Sequence, residues 1–419
     1  STVRVGKVLR TALTVLLLFF VLTSVGARDL ARLPEWIAGS NIPVPPVSAE
    51  AAILIDYETG TVLYEKQADR VIPPASLTKI MTIHLVLELA RDGVISLDDT
   101  FEVPRTAWAR NMPPGSSLMF LGPGQRVSYA ELLEGLAVAS GNDAAVAVSL
   151  QLAGSVPAFV EMMNSESQRL GYEVMRFSDP AGLSPRNRIT AREYADFVRR
   201  HITRWPEALE DIYSKRAILY PTESNFDSVM IGGSVRQENR NTLLFDYEGV
   251  DGLKTGYIDA SGYNLAVTAE RDGRRLIAVV LGVRAASVAE GARRRAVDAA
   301  VLLDYGFDEF RRLEPAVPQQ PPLRVWKGKM DEVAVVPDSA PAAVLVPRGR
   351  AEDVTVSVST AGELTAPVES EQPVGAVSYR LGDEELARVE LVTDAGVERA
   401  GFFKRLWHTI VRFAQRIMS

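Results

Sequence analysis

Residues Pro73-Pro74-Ala75-Ser76-Leu77-Thr78-Lys79-Ile80-Met81-Thr82 open an apolar run that continues to about Ala90, and the rest of the chain reads as organised around it. The paired prolines predict an extended approach. Ile80, Met81, Ile83, Leu85, Val86, Leu87 and Leu89 then leave almost no polar face, the pattern of a helix buried on most sides. Its first turn carries Ser76 and, three residues on, Lys79, which puts a hydroxyl and an amine on one face about a turn apart. An amine beside a serine becomes a usable base only when its proton is loosely held, and burial in an apolar helix is one way a lysine loses charge. Spacing alone is a weak signal, because roughly one serine three residues ahead of a lysine is expected by chance in a chain of this size. Its weight comes from the buried helix and from two polar clusters further along.

The chain has 419 residues, 47% hydrophobic and 24% charged, enough for two or three domains of ordinary globular composition. A net charge of -7, with basic residues gathered only at the two ends, argues against nucleic acid as a partner. There is no cysteine, which excludes disulfides and thiolate chemistry, and His84, His201 and His408 are too few for a histidine-rich zinc site. No metal and no cofactor is expected. At the amino terminus Arg4, Lys7 and Arg10 precede an apolar run from Ala12 to Leu22 and a cleavage-like Val25-Gly26-Ala27, so residues 1–27 read as a secretory signal, with an uncleaved anchor as the alternative. Residues 28–48, rich in proline towards their end, read as an extended lead-in.

Ala51 to Asp56, the Glu58-Thr59-Gly60 turn and Thr61 to Tyr64 predict a hairpin ahead of the Ser76 helix. Ser128 and Glu131 form a capping box for a helix with the stripe Leu132, Leu133, Leu136 and Ala137. That helix ends at Ser140-Gly141-Asn142-Asp143, and a second apolar helix follows from Ala144. Ser140 and Asn142 therefore sit at a tight junction between buried helices, where Asn142 or Asp143 either faces a cleft or caps the second helix. Ser155 starts another helix, Asp179-Pro180-Ala181-Gly182-Leu183 is a turn, and Thr190 with Glu193 forms a second capping box. From Gly249 the period changes to that of an antiparallel meander: Asp251-Gly252-Leu253-Lys254-Thr255-Gly256-Tyr257, Tyr263 to Ala269, the Asp272-Gly273 turn, and Leu276 to Val283. A last helix spans Arg293 to Leu303 and ends near Gly306.

Four prolines between Pro315 and Pro322 mark a linker. Beyond it, Val354 to Val358 alternates with period two and Ala387 to Val392 follows a Gly382-Asp383 turn, predicting a small separate β domain over 314–398. Residues 399–419 close the chain with Phe403, Leu406, Trp407, Ile410, Ala414, Ile417 and Met418 on one helical face, and Lys404, Arg405, Arg412 and Arg416 on the rest with no acid among them. This is the composition of an interfacial membrane helix, and packing on the β domain is the other reading.

Ser76-x-x-Lys79, Ser140-Gly141-Asn142 and Lys254-Thr255-Gly256, in that order on those elements, resemble the penicillin-binding proteins and serine β-lactamases. Their flanks look like the low-molecular-mass D-alanyl-D-alanine carboxypeptidases, a resemblance that covers roughly residues 40–310. It implies an α+β, β-lactamase/transpeptidase-like catalytic domain over 49–313, with an antiparallel sheet flanked by helices plus a helical region. The β domain and an amphipathic tail, which would hold the enzyme on the outer face of the cytoplasmic membrane, also belong to that pattern. The implied substrate is a peptidoglycan pentapeptide ending in D-Ala-D-Ala, with β-lactam antibiotics as acylating ligands.

On these residues Ser76 would attack the carbonyl between the two D-alanines while neutral Lys79 takes its proton, with Lys254 a second cation that helps keep Lys79 neutral and draws in an anionic substrate. Ser140 is placed to relay a proton to the leaving amine, and Asn142 to orient Lys79 and the substrate backbone. The strand from Lys254 to Tyr257 offers an edge for an extended peptide, with the amides of Ser76 and Tyr257 as oxyanion hole. Thr255 and Arg295 are the candidates for the terminal carboxylate. Members of the family often have histidine or threonine where this chain has Tyr257, which leaves substrate preference open. A class A β-lactamase would add a deacylating glutamate, but Glu161 and Asn164 fall inside a predicted helix with the wrong spacing. A non-catalytic peptidoglycan-binding scaffold is the alternative of another class.

Overall fold

A computed structural model describes residues 30–226 and 233–418, with side chains as far as 414 in the last helix. The signal-like residues 1–27 and the side chains of Arg416, Ile417 and Met418 lie outside the described residues. The chain divides into two units, one holding Pro43–Phe307 and residues up to Leu33, the other gathering Pro34–Ile42 with Asp308–Ser419.

In the first unit β1 (Ala51–Asp56) and β2 (Val62–Lys66) form the expected hairpin, and β3 (Val250–Ile258), β4 (Gly262–Arg271) and β5 (Arg274–Val283) the expected meander. They make one antiparallel sheet in the order β2-β1-β5-β4-β3, so the strand carrying Lys254, Thr255 and Gly256 lies at an edge. Between the hairpin and the meander the chain runs through α1 (Lys79–Arg91), α2 (Tyr129–Glu134), α3 (Asn142–Ala153), α4 (Val156–Arg169) and α5 (Ala191–Arg204); α6 (Val288–Glu309) follows β5. Successive strand residues point to opposite faces. Ile53, Ile55, Ile277 and Val279 accordingly join the core that contains Ala195 and Val198 of α5, while Leu54 and Leu276 pack at Gly306 of α6. Because both faces are covered, β5 reads as one apolar run instead of alternating.

Helix α1 is buried from Lys79 to Leu87. Ser128 and Glu131 close the predicted capping box. The second box does not close: Thr190 accepts the Glu193 amide, but the Glu193 carboxylate turns to the amides of Glu173, Val174 and Met175. The approach to Ser76 also differs from expectation, since Pro74 is helical (φ -69, ψ -19) and Ala75 is left-handed at φ 52. Helix α6 is longer than predicted because Gly306 does not end it; a Cβ there would lie 2.5 Å from Leu276, so the glycine serves a close approach.

The second unit is all-β apart from its helices. Its strands are β6 (Phe310–Leu313), β7 (Leu323–Trp326), β8 (Glu332–Val333), β9 (Val335–Pro337), β10 (Val344–Pro347), β11 (Val354–Thr360), β12 (Glu363–Thr365), β13 (Pro373–Leu381) and β14 (Glu384–Thr393). They pair as β6-β10, β8-β7-β12 and β9-β14-β13-β11 around Val325, Val377, Tyr379 and Leu391. Part of the supposed lead-in belongs here: Glu35–Ala38 is a helical turn whose buried Trp36 meets the Phe310 ring edge-on at 6.2 Å. The alternation of Val354 to Val358 does not bury a face, because β11 is an edge strand and Val356 and Val358 remain exposed.

The tail is a helix, α7 (Phe402–Met418). Its polar side meets the β unit: Lys404 pairs with Asp331 at 2.9 Å, His408 Nδ1 accepts the Lys327 amide at 2.8 Å, and Arg412 lies over the Trp326 ring. Phe402, Phe403, Leu406, Trp407, Ile410 and Phe413 are left exposed, Phe403 to 85%.

Candidate active site

The turn Ala75–Thr78 delivers Ser76 directly onto α1, so the hydroxyl and the first residue of the helix are locked in register. Lys79 is fully buried, and its Nζ lies 2.9 Å from Ser76 Oγ, 2.8 Å from Asn142 Oδ1 and 2.7 Å from the Ala181 carbonyl oxygen. Three donations at once need an ammonium. A neutral amine has two hydrogens and a lone pair, and of the three partners only the Ser76 hydroxyl can donate. Deprotonating Lys79 therefore reverses one bond and no other, turning the serine proton towards the amine. Burial pulls the Lys79 pKa down to about 7; the Asp179 carboxylate opposes this, Arg240 assists it, and Asp143 opposes it.

Each partner of Lys79 is held in turn. Asn142 is the first residue of α3, and its amide donates to the Ser117 carbonyl at 2.8 Å. Its side chain makes no capping bond, so the cleft-facing reading stands for Asn142. Asp143 is the residue with a structural duty: it accepts the amides of Met119, Phe120 and Leu121 at 2.8–3.0 Å. The Ala181 carbonyl is presented by a loop wrapped on Asp179, whose carboxylate accepts the amides of Ala181, Gly182, Leu183 and Ser184. Ser140 follows a π turn (Gly135–Ala139), is buried, and is left-handed at φ 59.

Lys254 is buried on β3 and its Nζ donates to the Thr255 carbonyl at 3.1 Å. Gly256 explains why this strand can pass so close to the nucleophile: a Cβ on it would lie 2.8 Å from the Pro74 oxygen and 3.0 Å from the Ser76 nitrogen. Gly182 shields the other side, where a Cβ would fall 1.8 Å from the Ala75 oxygen. Thr255 is buried beside Lys254, and Tyr257 is half-exposed, stacked on Tyr263 at 4.3 Å.

A family model described as D-alanyl-D-alanine carboxypeptidase matches residues 39–285, more than half of the chain. The chain belongs to that family. A second model, the C-terminal domain of penicillin-binding protein 5, matches residues 320–399. The carboxypeptidase DacC of Escherichia coli (strain K12) is 36% identical over 381 residues, 89% of this chain and 90% of that protein. The structure of penicillin-binding protein 5 from Haemophilus influenzae aligns at TM-score 0.70 with 32% identity over 86% of this chain and all of that one. Penicillin-binding protein D2 of Listeria monocytogenes, solved in its ampicillin-bound form, aligns at 0.53 with 30% identity over 64% of this chain and all of that one. The fold is that of the penicillin-binding proteins.

Within this D-alanyl-D-alanine carboxypeptidase, the structure adds partners and neighbouring charges to Lys79, Lys254 and Arg295. Burial does most to keep Lys79 neutral and Arg240 assists, while the like charges of Lys79 and Lys254 disfavour protonating both amines together. Lys254 itself is pushed well below its ordinary range by burial, then by Lys79, Arg240 and Arg295. Arg295, expected at a substrate carboxylate, donates to the Gly256 carbonyl at 3.1 Å, and its pKa is held down to about 10 by burial and Arg240. Sequence reasoning missed Arg240, whose guanidinium donates to Ser117 Oγ at 2.7 Å, and the Ala181 carbonyl. The Asp179-Pro180-Ala181-Gly182 turn was visible, but nothing in it says that a carbonyl meets Lys79. Glu161 and Asn164 do lie within α4, and Asn164 is occupied with both backbone groups of Phe177.

Proposed function

We propose that Ser76 is the nucleophile that removes the terminal D-alanine of peptidoglycan pentapeptides through an acyl-enzyme, and that penicillins acylate the same hydroxyl. The observation that carries this is the 2.9 Å contact between Ser76 Oγ and a buried Lys79 whose proton is held at about 7. Lys79 takes the hydroxyl proton as Ser76 attacks the carbonyl carbon. The Ser76 and Tyr257 amides receive the developing oxyanion, and their proximity is supported by the close pass of Gly256 over the Ser76 nitrogen. Ser140 carries the proton to the departing D-alanine amine, and water then releases the shortened peptide. Thr255 and the guanidiniums of Arg240 and Arg295 supply the donors and the positive field for the substrate carboxylate, with Arg295 also bracing the strand. Release of D-alanine from a pentapeptide, measured for the parent enzyme and for Ser76→Ala, tests the assignment; loss of release in the variant is expected, and retained release would overturn it.

We also propose that the protein is exported and held at the outer face of the cytoplasmic membrane by α7, because the polar side of that helix is spent on the β unit and its six exposed apolar side chains are left to the surroundings. Burying several large side chains at about 1.5–3 kcal/mol each is enough for reversible attachment. Deleting residues 401–419 should move the mature protein into the soluble fraction with D-alanine release nearly unchanged. Continued sedimentation with membranes would contradict the assignment.

A further inference from the structure

An uninterrupted chain of polar groups, half-buried at Glu166 and buried beyond it, crosses the core behind the site. His84 lies on α1, five residues after Lys79, and its Nδ1 is 3.1 Å from Nδ1 of His201 on α5. His84 Nε2 meets Glu166 of α4 at 3.2 Å, and His201 Nε2 meets the Tyr213 hydroxyl at 2.8 Å. His84, His201 and Tyr213 are all buried, and a polar chain in an apolar core persists only when each member is satisfied.

With both imidazoles neutral, one ordering satisfies every group: Tyr213 O–H donates to His201 Nε2, His201 Nδ1–H to His84 Nδ1, and His84 Nε2–H to Glu166. An added proton has nowhere neutral to go. Whether it lands on His201 Nε2 or on His84 Nδ1 with a tautomeric shift of His201, the result is an N–H aimed at the Tyr213 oxygen. The tyrosine hydrogen must then turn away, and among the described residues it has no second acceptor.

Tyr213 sits where this matters. A Cβ on Gly252 would lie 3.1 Å from the Tyr213 Cβ, two residues before Lys254 on β3. The Tyr213 carbonyl accepts from Asn239 Nδ2 at 3.4 Å, the Asn239 carboxamide oxygen accepts the Asn241 amide, and Asn241 Nδ2 donates to the Gly252 carbonyl at 3.1 Å. Arg240 lies between those two asparagines and reaches Ser117, whose carbonyl holds Asn142.

We infer that Glu166, His84, His201 and Tyr213 form a proton-ordered strut that positions the Lys79 helix against the Lys254 strand and loosens when the imidazole pair takes up a proton. The inference rests on Lys79 and Lys254 serving the acylation of Ser76. These four act as positioning residues, since none touches Ser76. The charged groups at the pair are Glu166 with Arg169 from α4, with Glu88 of α1 acting on Arg169; α5 contributes Tyr194 and the Phe197 ring, and the π turn Leu209–Tyr213 contributes Tyr213. Burial, then His84, pushes His201 well below its ordinary range, so His201 is neutral at pH 7 and can accept the Tyr213 hydroxyl. Although burial works against its ionisation, Glu166 is held down at about 2 by its bonds from His84 and Arg169 and remains an acceptor.

The test is the acylation rate with fluorescent penicillin between pH 4.5 and 8 for the parent, His201→Gln and Tyr213→Phe, with the pre-covalent binding constant separated from the first-order step. Protonation of Lys79 alone gives a fall of about tenfold per pH unit. The parent should steepen towards about a hundredfold per unit at the acid end, in the first-order step, because a second proton is taken up. Both variants should keep the single tenfold slope, while staying within a few-fold of the parent at pH 8. A glutamine carboxamide can donate and accept without charging, so His201→Gln should also retain the parent's neutral-pH rate better than His201→Ala. Equal losses at every pH, or a parent-like steepening in Tyr213→Phe, would overturn the inference. A parent enzyme that penicillin does not acylate at any pH would instead overturn the assignment of Ser76.

Discussion

If Lys79 is the base, the pH dependence of acylation above the acid range follows from one number. With its proton held at about 7, the neutral amine amounts to about 9% at pH 6, one-half at pH 7 and about 91% at pH 8. The pKa is lowered, so the working form is lost as pH falls through 7 and is nearly complete one unit above it. The first-order acylation rate should rise about tenfold from pH 6 to pH 8 and be flat from pH 8 to pH 9. An ordinary lysine near 10.4 would behave otherwise: less than about 1% would be neutral at pH 8, and the rate would still climb tenfold per unit at pH 9. Stopped-flow quenching of intrinsic tryptophan by a penicillin, or timed labelling with a fluorescent one, measures the step directly. A rate still climbing at pH 9 would refute the claim that burial sets the base. A Lys79→Arg enzyme should lie at least about a thousandfold lower throughout, since guanidinium keeps its proton at any workable pH.

Burial of Lys79 also predicts a stability trend. Its folded pKa is below its unfolded one, so the unfolded chain binds more protons between about pH 7 and 10.5 and stability rises with pH there, by up to about 1.4 kcal/mol per unit. Urea unfolding of the parent should show a rise that includes this contribution alongside that of buried Lys254, and Lys79→Met should show a shallower one. Gly182→Ala should lower acylation at least about tenfold or prevent folding, because its Cβ would fall 1.8 Å from the Ala75 oxygen at a φ of +87; penicillin labelling of the purified variant decides. Asp143→Ala should cost about 1–3 kcal/mol in a thermal melt by orphaning the amides of Met119, Phe120 and Leu121.

The catalytic fold was legible because its signals are local. An apolar run with a hydroxyl and an amine in its first turn makes α1; Ser128 with Glu131 makes the start of α2; and the Asp272-Gly273 turn between apolar runs makes the meander. What stayed hidden depends on distant contacts. Trp36 in a proline-flanked segment gives no hint that it meets Phe310, and Glu193 has the spacing of a capping partner yet serves three amides of another loop. Gly306 looks like a helix end but is a packing site against Leu276. In the site, side chains with distinctive chemistry were found by type and spacing. The Ala181 carbonyl was not, because every residue has a carbonyl, and Arg240 was not, because one arginine among many carries no local mark. The loosened Lys254 proton was hidden as well, since it follows from burial and from Lys79, Arg240 and Arg295 brought close by the fold.

The central claim is that Ser76 becomes covalently acylated with Lys79 as its base. Intact-mass analysis after incubation with benzylpenicillin, followed by peptide mapping, tests it most directly. The account predicts a single adduct on the peptide containing Ser76, absent from Ser76→Ala and barely formed by Lys79→Arg. An adduct on any other residue, or one that persists in Ser76→Ala, would contradict it.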